Sequence, residues 1–180
     1  MQVLYLSFVP RHGRIISMNK NIIAVRVRKE DALCKHCGKK KSFYYLSDYS
    51  YGERLVMTKD FRCYAYANFI EDTAFEELEK YIKLILECHN ITLSEKLLAK
   101  CINDLFGITC DDIKNQPVDT ASRDDKCLFC GNSDFGQNVS ESIENIEMPV
   151  VTHIVWDRLN EDEKISLIKK ELKKQNYIAE

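Results

Sequence analysis

Two short cysteine motifs of the form Cys-x-x-Cys-Gly constrain this chain more than any other feature of its sequence. The first spans Cys34–Gly38 and the second spans Cys127–Gly131. The two-residue spacing lets both thiolates of a motif reach one metal ion from a tight turn. The glycine that follows tolerates the left-handed backbone with which the chain turns away. Two such turns supply four sulfurs, which is the complete tetrahedral ligand set of a structural zinc.

The separation of the two motifs decides the topology that a shared metal would impose. Between Cys37 and Cys127 lie 89 residues. One Zn²⁺ bound by Cys34, Cys37, Cys127 and Cys130 would therefore fasten an N-terminal segment to a late one. Four thiolates leave no open position for a catalytic water, so we expect the metal to be structural. We expect His36, between two ligands, to face solvent or contact a ligand rather than bind the metal.

The two motifs resemble the knuckles of zinc ribbons, and the resemblance covers only Cys34–Gly38 and Cys127–Gly131. Ribbons of this kind usually separate their cysteine pairs by roughly 15–20 residues. The chain therefore resembles a split ribbon into which most of a domain has been inserted. A thioredoxin-like redox pair would open a helix, and neither motif precedes a helical pattern.

Composition places the chain among compact proteins with reduced cysteines. A length of 180 residues suits one domain, and 45% apolar with 30% charged residues is ordinary for a soluble protein. No apolar run approaches the roughly 18–20 residues of a membrane span. Val3–Val9 is apolar but has no preceding basic region and no cleavage site, so a signal peptide is not predicted. We therefore expect a cytoplasmic protein whose eight cysteines are not paired in disulfides.

Residue periodicity predicts a single α+β domain over residues 1–180. Residues 1–70 read as a mostly antiparallel β-sheet that carries the first knuckle, with five predicted strands at Val3–Val9, Asn21–Arg28, Ser42–Leu46, Gly52–Thr58 and Phe61–Ala67. Residues 71–115 read as a helical hairpin, because apolar residues recur there with the helical period.

The helix boundaries follow from capping signals. The first helix is predicted from Thr73, with Glu76 completing a capping box, to about Cys88. The second is predicted from Thr92 or Ser94 to Gly107, and one more helical turn is predicted at 111–115. Residues 116–180 hold the second knuckle, a strand predicted within 150–155, and a C-terminal helix over 161–175.

Charge is strongly segregated along the sequence, although the formal net charge is only −2. Residues 1–60 carry 12 basic against 5 acidic residues, and residues 111–163 carry 4 against 13. Part of this contrast should be internal, since a shared metal brings the two regions together. The remainder predicts a charged surface that faces a partner.

The acidic segment supports the favoured functional hypothesis, which is non-enzymatic binding of a basic protein partner. Its candidate contact residues are Asp111, Asp112, Asp119, Asp124, Asp125, Asp134, Glu141 and Glu144. Small proteins that are acidic on one face and catalytically silent resemble immunity proteins, which neutralise nuclease toxins. The sharpest form of the hypothesis is therefore an immunity or inhibitor protein for a basic nuclease-type toxin. The competing interpretation is a solubilising face.

The basic segment supports an alternative, nucleic-acid binding at the first knuckle. The candidate residues are Arg26, Arg28, Lys35, Lys39, Lys40 and Lys41, with Phe43, Tyr44 and Tyr45 close by. Lysine and arginine can contact phosphates while aromatic rings stack on bases, and zinc ribbons often serve this role. A sequence pI near 6.1 argues against a dedicated nucleic-acid binder.

Two further candidate sites, a second metal site and a catalytic pair, have less support in the sequence. Cys88, His89, Cys101 and Cys110 could form a second metal site, but Cys101 lies in an apolar helical stripe and buried free cysteine is common in cores. No zinc-protease, nucleophile-elbow or phosphate-loop motif is present, and only a pairing of Cys110 with His153 stays open as a catalytic group. The sequence therefore predicts neither an enzyme nor a small-molecule substrate.

Overall fold

The computed structural model describes residues 21–48, 51–121 and 126–179. The predicted strand at Val3–Val9 and the acidic residues Asp124 and Asp125 lie outside these ranges. In chain order the described elements are β1 (Ile22–Cys34), β2 (Lys40–Leu46), β3 (Glu53–Thr58), β4 (Tyr64–Asn68), α1 (Thr73–Cys88), α2 (Glu95–Leu105), β5 (Val118–Asp119), β6 (Phe135–Pro149), α3 (Ile154–Arg158) and α4 (Glu161–Lys174). The mixed composition agrees with the predicted α+β class.

The strands form two antiparallel sheets of three strands each, rather than the single N-terminal sheet that the sequence predicts. The first sheet has the order β2-β1-β6, and the second has the order β4-β3-β5. The first sheet therefore joins an early hairpin to a late strand, with β1 in the centre. A short bridge between Tyr66 and Val150 connects the two sheets.

The main core lies between the second sheet and the helices. Val56 and Ala65 face it from the sheet, and the helices contribute Leu78, Ile102 and Ile168. A smaller cluster lies under one end of the first sheet, where Ile23, Val25 and Val27 alternate inward along β1. The other end of β1, toward Cys34, has no such apolar cluster.

Helix α1 begins at Thr73, as predicted, but the predicted capping box of Thr73 with Glu76 is wrong. The N-cap is Asp72, whose carboxylate accepts a hydrogen bond of 3.0 Å from the Phe75 N–H. Asp72 is the better cap because its second oxygen also binds His153. For the other helices, Ser94 caps α2, and Asn160 caps α4.

Two predicted elements are different in the structure. Residues 111–115 form a turn closed by a bridge between Ile113 and Gln116, not a helical turn. The strand predicted within 150–155 is replaced by α3, in which Ile154 and Val155 are exposed. Asp111 stabilises the N-terminus of α3, since its carboxylate accepts hydrogen bonds from the N–H groups of Ile154 and Val155 at 2.8 and 2.9 Å.

His153 connects α1 to the segment before α3. Its Nδ1 donates to the carbonyl of Thr109 at 2.7 Å, and its Nε2 donates to Asp72 at 2.9 Å. Both partners are acceptors, so this geometry requires a proton on each ring nitrogen. Burial by itself would lower the pKa of His153, but the hydrogen bonds to Asp72 and Thr109 outweigh it and raise the pKa.

A raised pKa at His153 predicts stability that declines in alkaline solution. The contribution should be fully present below the ordinary histidine value of about 6.5 and be lost as pH rises through the higher folded pKa. We expect urea unfolding at pH 6, 7 and 8.5 to show this decline. His153→Gln should remove the dependence and cost about 1.5–3 kcal/mol at pH 6. Parallel pH profiles for the two proteins would contradict the assignment.

Candidate metal centre

The four predicted sulfurs converge in the folded chain. The Sγ atoms of Cys34 and Cys130 are 3.6 Å apart, and those of Cys37 and Cys127 are 3.5 Å apart. All four lie within 4.8 Å of one another. Ideal tetrahedral coordination with Zn–S bonds of about 2.3 Å places sulfurs about 3.8 Å apart. The cluster therefore fits one tetrahedral metal ion.

The two knuckles share the same backbone geometry. The Gly38 N–H donates to the Cys34 carbonyl at 2.8 Å, and the Gly131 N–H donates to the Cys127 carbonyl at 2.9 Å. The two glycines have φ values of +69° and +72°. A Cβ atom at either position would meet nothing within 4 Å. Glycine is therefore needed for its left-handed backbone and not for space.

Pairing of the first sheet brings the knuckles together. The first knuckle connects β1 to β2, and the second leads into β6. Because β1 and β6 are antiparallel, Cys34 lies opposite Phe135, at the start of β6. Lys41 is buried and its Nζ donates to the Lys126 carbonyl at 2.7 Å, which links β2 to the second knuckle. We call this part of the first sheet, with the two knuckles, the knuckle end; it comprises residues 29–41 and 126–145.

A buried carboxylate holds the three strands together beside the knuckles. Asp31 of β1 accepts hydrogen bonds from Ser42 of β2 at 2.5 Å, from Lys40 at 3.1 Å and from Ser140 of β6 at 2.9 Å. These hydrogen bonds, that of Ser42 foremost, lower the pKa of Asp31 to about 2. The knuckle end is therefore held by polar contacts and by the cysteine cluster. Its apolar contribution is small, an edge-to-face pair of Phe43 with Phe135 (5.1 Å) that belongs to neither core cluster.

Without a cation the four cysteine side chains cannot all be thiolates, because their negative charges would repel one another. Backbone hydrogen bonds from Phe129 and then Cys130 lower the pKa of Cys127 to about 6. The Asn132 N–H also favours a thiolate at Cys130, yet desolvation and then the neighbouring sulfurs raise the pKa of that thiol to about 12. Four sulfurs this close ionise together only when a cation neutralises them. This donor set suits a divalent metal.

No second metal cluster forms among the residues that the structure describes. Cys88 and His89 are exposed at the end of α1, whereas Cys101 is fully buried in the main core. Burial raises the pKa of both Cys101 and Cys110 to about 12. Both ring nitrogens of His153 bind other groups, so His153 is not positioned as a base for Cys110.

Most of the predicted basic residues are engaged within the protein. Ion pairs join Arg26 to Asp48, Arg28 to Glu30, Lys35 to Asp134 and Lys40 to Asp31. Lys41 is buried, as described above. Lys39 differs, since its ammonium lies 5.8 Å from the ring centroid of Phe129.

Several of the predicted acidic residues in the described ranges have partners within the protein. Asp111 supports α3, and Asp119 accepts the Ala121 N–H in a turn. Asp134 and Glu144 pair with Lys35 and Lys29 of the basic segment, as expected if part of the charge contrast is internal. The exposed members of the set in the described ranges include Asp112 and Glu141.

Exposed apolar side chains next to the cysteines are the feature that sequence reasoning missed. Leu33, Leu128 and Phe129 are 41%, 45% and 67% exposed, and together we call them the apolar tip. The available signal was position, because residues between two ligands of a tight turn cannot reach a core. Apolar residues held at such a place favour contact with another molecule.

Comparisons with protein-family models, with curated proteins and with solved structures found no match. In the described part of the chain, no helix combines the length and apolar character that a membrane crossing requires.

Proposed function

We propose that the cysteine cluster holds one structural Zn²⁺ and that the protein is a non-enzymatic module that binds another protein. The observation that carries the proposal is the apolar tip, which the metal ligands hold in solvent. Aromatic side chains of this kind are enriched where proteins bind each other. The zinc would fix the two turns that present Leu128 and Phe129, while the sulfurs occupy all its coordination positions.

A protein partner is favoured over nucleic acid by the state of the basic residues. Nucleic-acid binding depends on cations that can neutralise phosphates. Four of the six candidates already pair with carboxylates, and Lys41 is buried. Lys39 beside Phe129 and Arg28 beside Tyr45 favour the alternative, since a ring and a cation together suit a single-stranded nucleic acid.

The most specific form of the proposal keeps the sequence-based hypothesis of a cytoplasmic immunity protein. Its partner would be a basic nuclease-type toxin, attracted by exposed carboxylates such as Asp112 and Glu141. Binding would then suppress the nuclease activity of the partner. A captured partner with an acidic surface would exclude this form and leave protein binding intact.

The test is affinity capture with matched surface variants. We expect the double variant Leu128→Asp with Phe129→Asp to retain at least tenfold less partner protein, because buried aromatic anchors carry much of the binding free energy. The control is Leu84→Asp, since Leu84 is similarly exposed (42%) but lies on α1. Equal retention by both variants, or recovery that nuclease treatment abolishes, would contradict the proposal.

A further inference from the structure

We infer that the outer edge of β6 binds an extended basic segment of the partner protein as an additional β-strand, and that one apolar side chain of this segment enters a pocket beside Ile146–Pro149. This inference rests on the proposed function, because it names the chemistry of the partner and the surface that it would use. Three observations carry it: an open strand edge, an adjoining pocket and exposed carboxylates on the same strand.

The first observation is the position of β6 in the sheet. It is 15 residues long and lies at the edge of the order β2-β1-β6. Within the described ranges, β1 is the only strand that pairs with β6 itself. Just beyond its end β4 approaches, because Tyr66 bridges Val150. The opposite edge therefore presents backbone N–H and C=O groups that no described strand binds. Such an edge is a template for an incoming strand.

The apolar residues of β6 support an interface more than a solvated edge. Val139 and Ile143 are 56% and 60% exposed. In the register of the sheet, Ile143 lies opposite Arg28, whose guanidinium is 5.1 Å from the ring centroid of Tyr45. An exposed row of isoleucine, arginine and tyrosine across three strands has the composition of a protein-binding surface.

The second observation is a cavity of about 270 Å³ at the end of this strand. Its lining is mainly apolar and aromatic and includes Tyr44, Tyr64, Ile113, Ile146 and Met148. Arg62, Lys114 and Glu147 also line it, so the pocket itself suits an apolar side chain rather than a lysine. All residues from Ile146 to Pro149 line it. Because successive strand residues point to opposite faces, a cavity touched by four in a row reaches the strand edge. Its volume corresponds to about nine waters of the liquid, which suits one large side chain.

The third observation is charge. Glu141 and Glu147 are exposed and lie on the same face of β6, on either side of Ile143. A strand added to β6 would place alternate side chains next to these carboxylates, and opposite charges are favourable at such cross-strand positions. The other side chains of the added strand would point to the opposite face of the sheet, on which the pocket opens. The fitting segment therefore alternates basic and apolar residues.

The test uses a synthetic peptide with this alternation, acetyl-Lys-Val-Lys-Phe-Lys-Val-Lys-amide, titrated into the zinc-loaded full chain. We expect backbone amide shifts and slower hydrogen exchange along β6, with binding at least tenfold weaker for the double variant Glu141→Lys with Glu147→Lys. The control is Glu71→Lys with Glu87→Lys, which changes the net charge equally at exposed positions away from β6. This control should weaken peptide binding less than the Glu141→Lys with Glu147→Lys variant does, because it changes only the net charge of the chain.

A pair of modified peptides examines the backbone contacts directly. Two versions of the same sequence are N-methylated at alternate residues, one at the lysines and one at the apolar residues. Each version loses the N–H donors of one edge of the peptide, and the version whose methylated edge faces β6 should bind at least tenfold more weakly. Equal binding of all these peptides, equal weakening by both double variants, or no change along β6 at millimolar peptide would overturn the inference. If capture of a partner still depends on Leu128 and Phe129 in that case, only the inference fails and the proposed function stands.

Discussion

A Cys127→Ser variant is expected to lose the proposed zinc and to unfold the knuckle end of the first sheet. Serine is a poor replacement for a thiolate ligand, and the remaining three sulfurs would leave the site open. Structural zinc sites in small domains have apparent binding free energies of about 10–16 kcal/mol, and this energy stabilises the fold. Since the knuckle end has little apolar burial, it should depend on the metal more than the helical core does.

Elemental analysis should find about one zinc per wild-type chain and none in the variant, as one four-sulfur site implies. Hydrogen exchange should accelerate over residues 29–41 and 126–145, while α1 keeps its protection. Cys88→Ser provides the control, because Cys88 is exposed and outside the cluster. It should change the free energy of unfolding by no more than about 0.5 kcal/mol. A metal-free Cys127→Ser protein with wild-type exchange would refute the structural role.

Phe106→Ala is expected to produce a large loss of stability in the main core. Phe106 is fully buried after the end of α2, and its ring centroid lies 4.6 Å from that of Phe69 and 5.7 Å from those of Phe75 and His153. Removing such a ring deletes apolar burial and leaves a cavity. The expected cost is about 3–5 kcal/mol, or a decrease in Tm of roughly 6–20 °C for a chain of this size.

Trp156 offers a direct measurement of this loss. It is the only tryptophan in the chain and belongs to the same buried cluster, so its fluorescence reports on the core during urea unfolding. Leu97→Ala is the control, since Leu97 is 49% exposed on α2. A Phe106→Ala protein that unfolds at the same urea concentration as the Leu97→Ala protein would show that the aromatic cluster is not central.

The knuckles could be predicted from the sequence because their geometry is local. A two-residue spacing and a following glycine determine each turn, and the sharing of one cluster is confirmed by the sulfur positions. Helix α1 was predictable for a similar reason, since its apolar period and polar start are both contained within 16 residues.

The strand β6 shows what could not be read from the sequence. Its residues 135–145 are rich in glycine, asparagine and serine, which is typical of loops. They form a strand because the cluster at Cys34 and Cys130 and the hydrogen bonds of β1 hold them in register. The driving force comes from residues about 100 positions away, so no local pattern records it.

The charges illustrate the same limit at the level of single residues. Segregation of basic and acidic residues predicted internal pairing in general terms. Which residues pair depends on the register, which places Lys29 within 3.3 Å of Glu144 and leaves Glu141 and Glu147 exposed. Which charges stay exposed on the surface is thus decided by pairings that only the fold reveals.

The long gap between the knuckles also governs how the protein is made. A ribosome adds roughly 5–20 residues per second, so the second knuckle emerges roughly 4–18 s after the first. During that interval the nascent chain holds Cys34 and Cys37 without their partners, and β1 lacks one neighbour. Such distant pairings raise the contact order and slow folding. Cells short of zinc should therefore accumulate chains whose helices are formed while the early hairpin is still a target for chaperones or proteases.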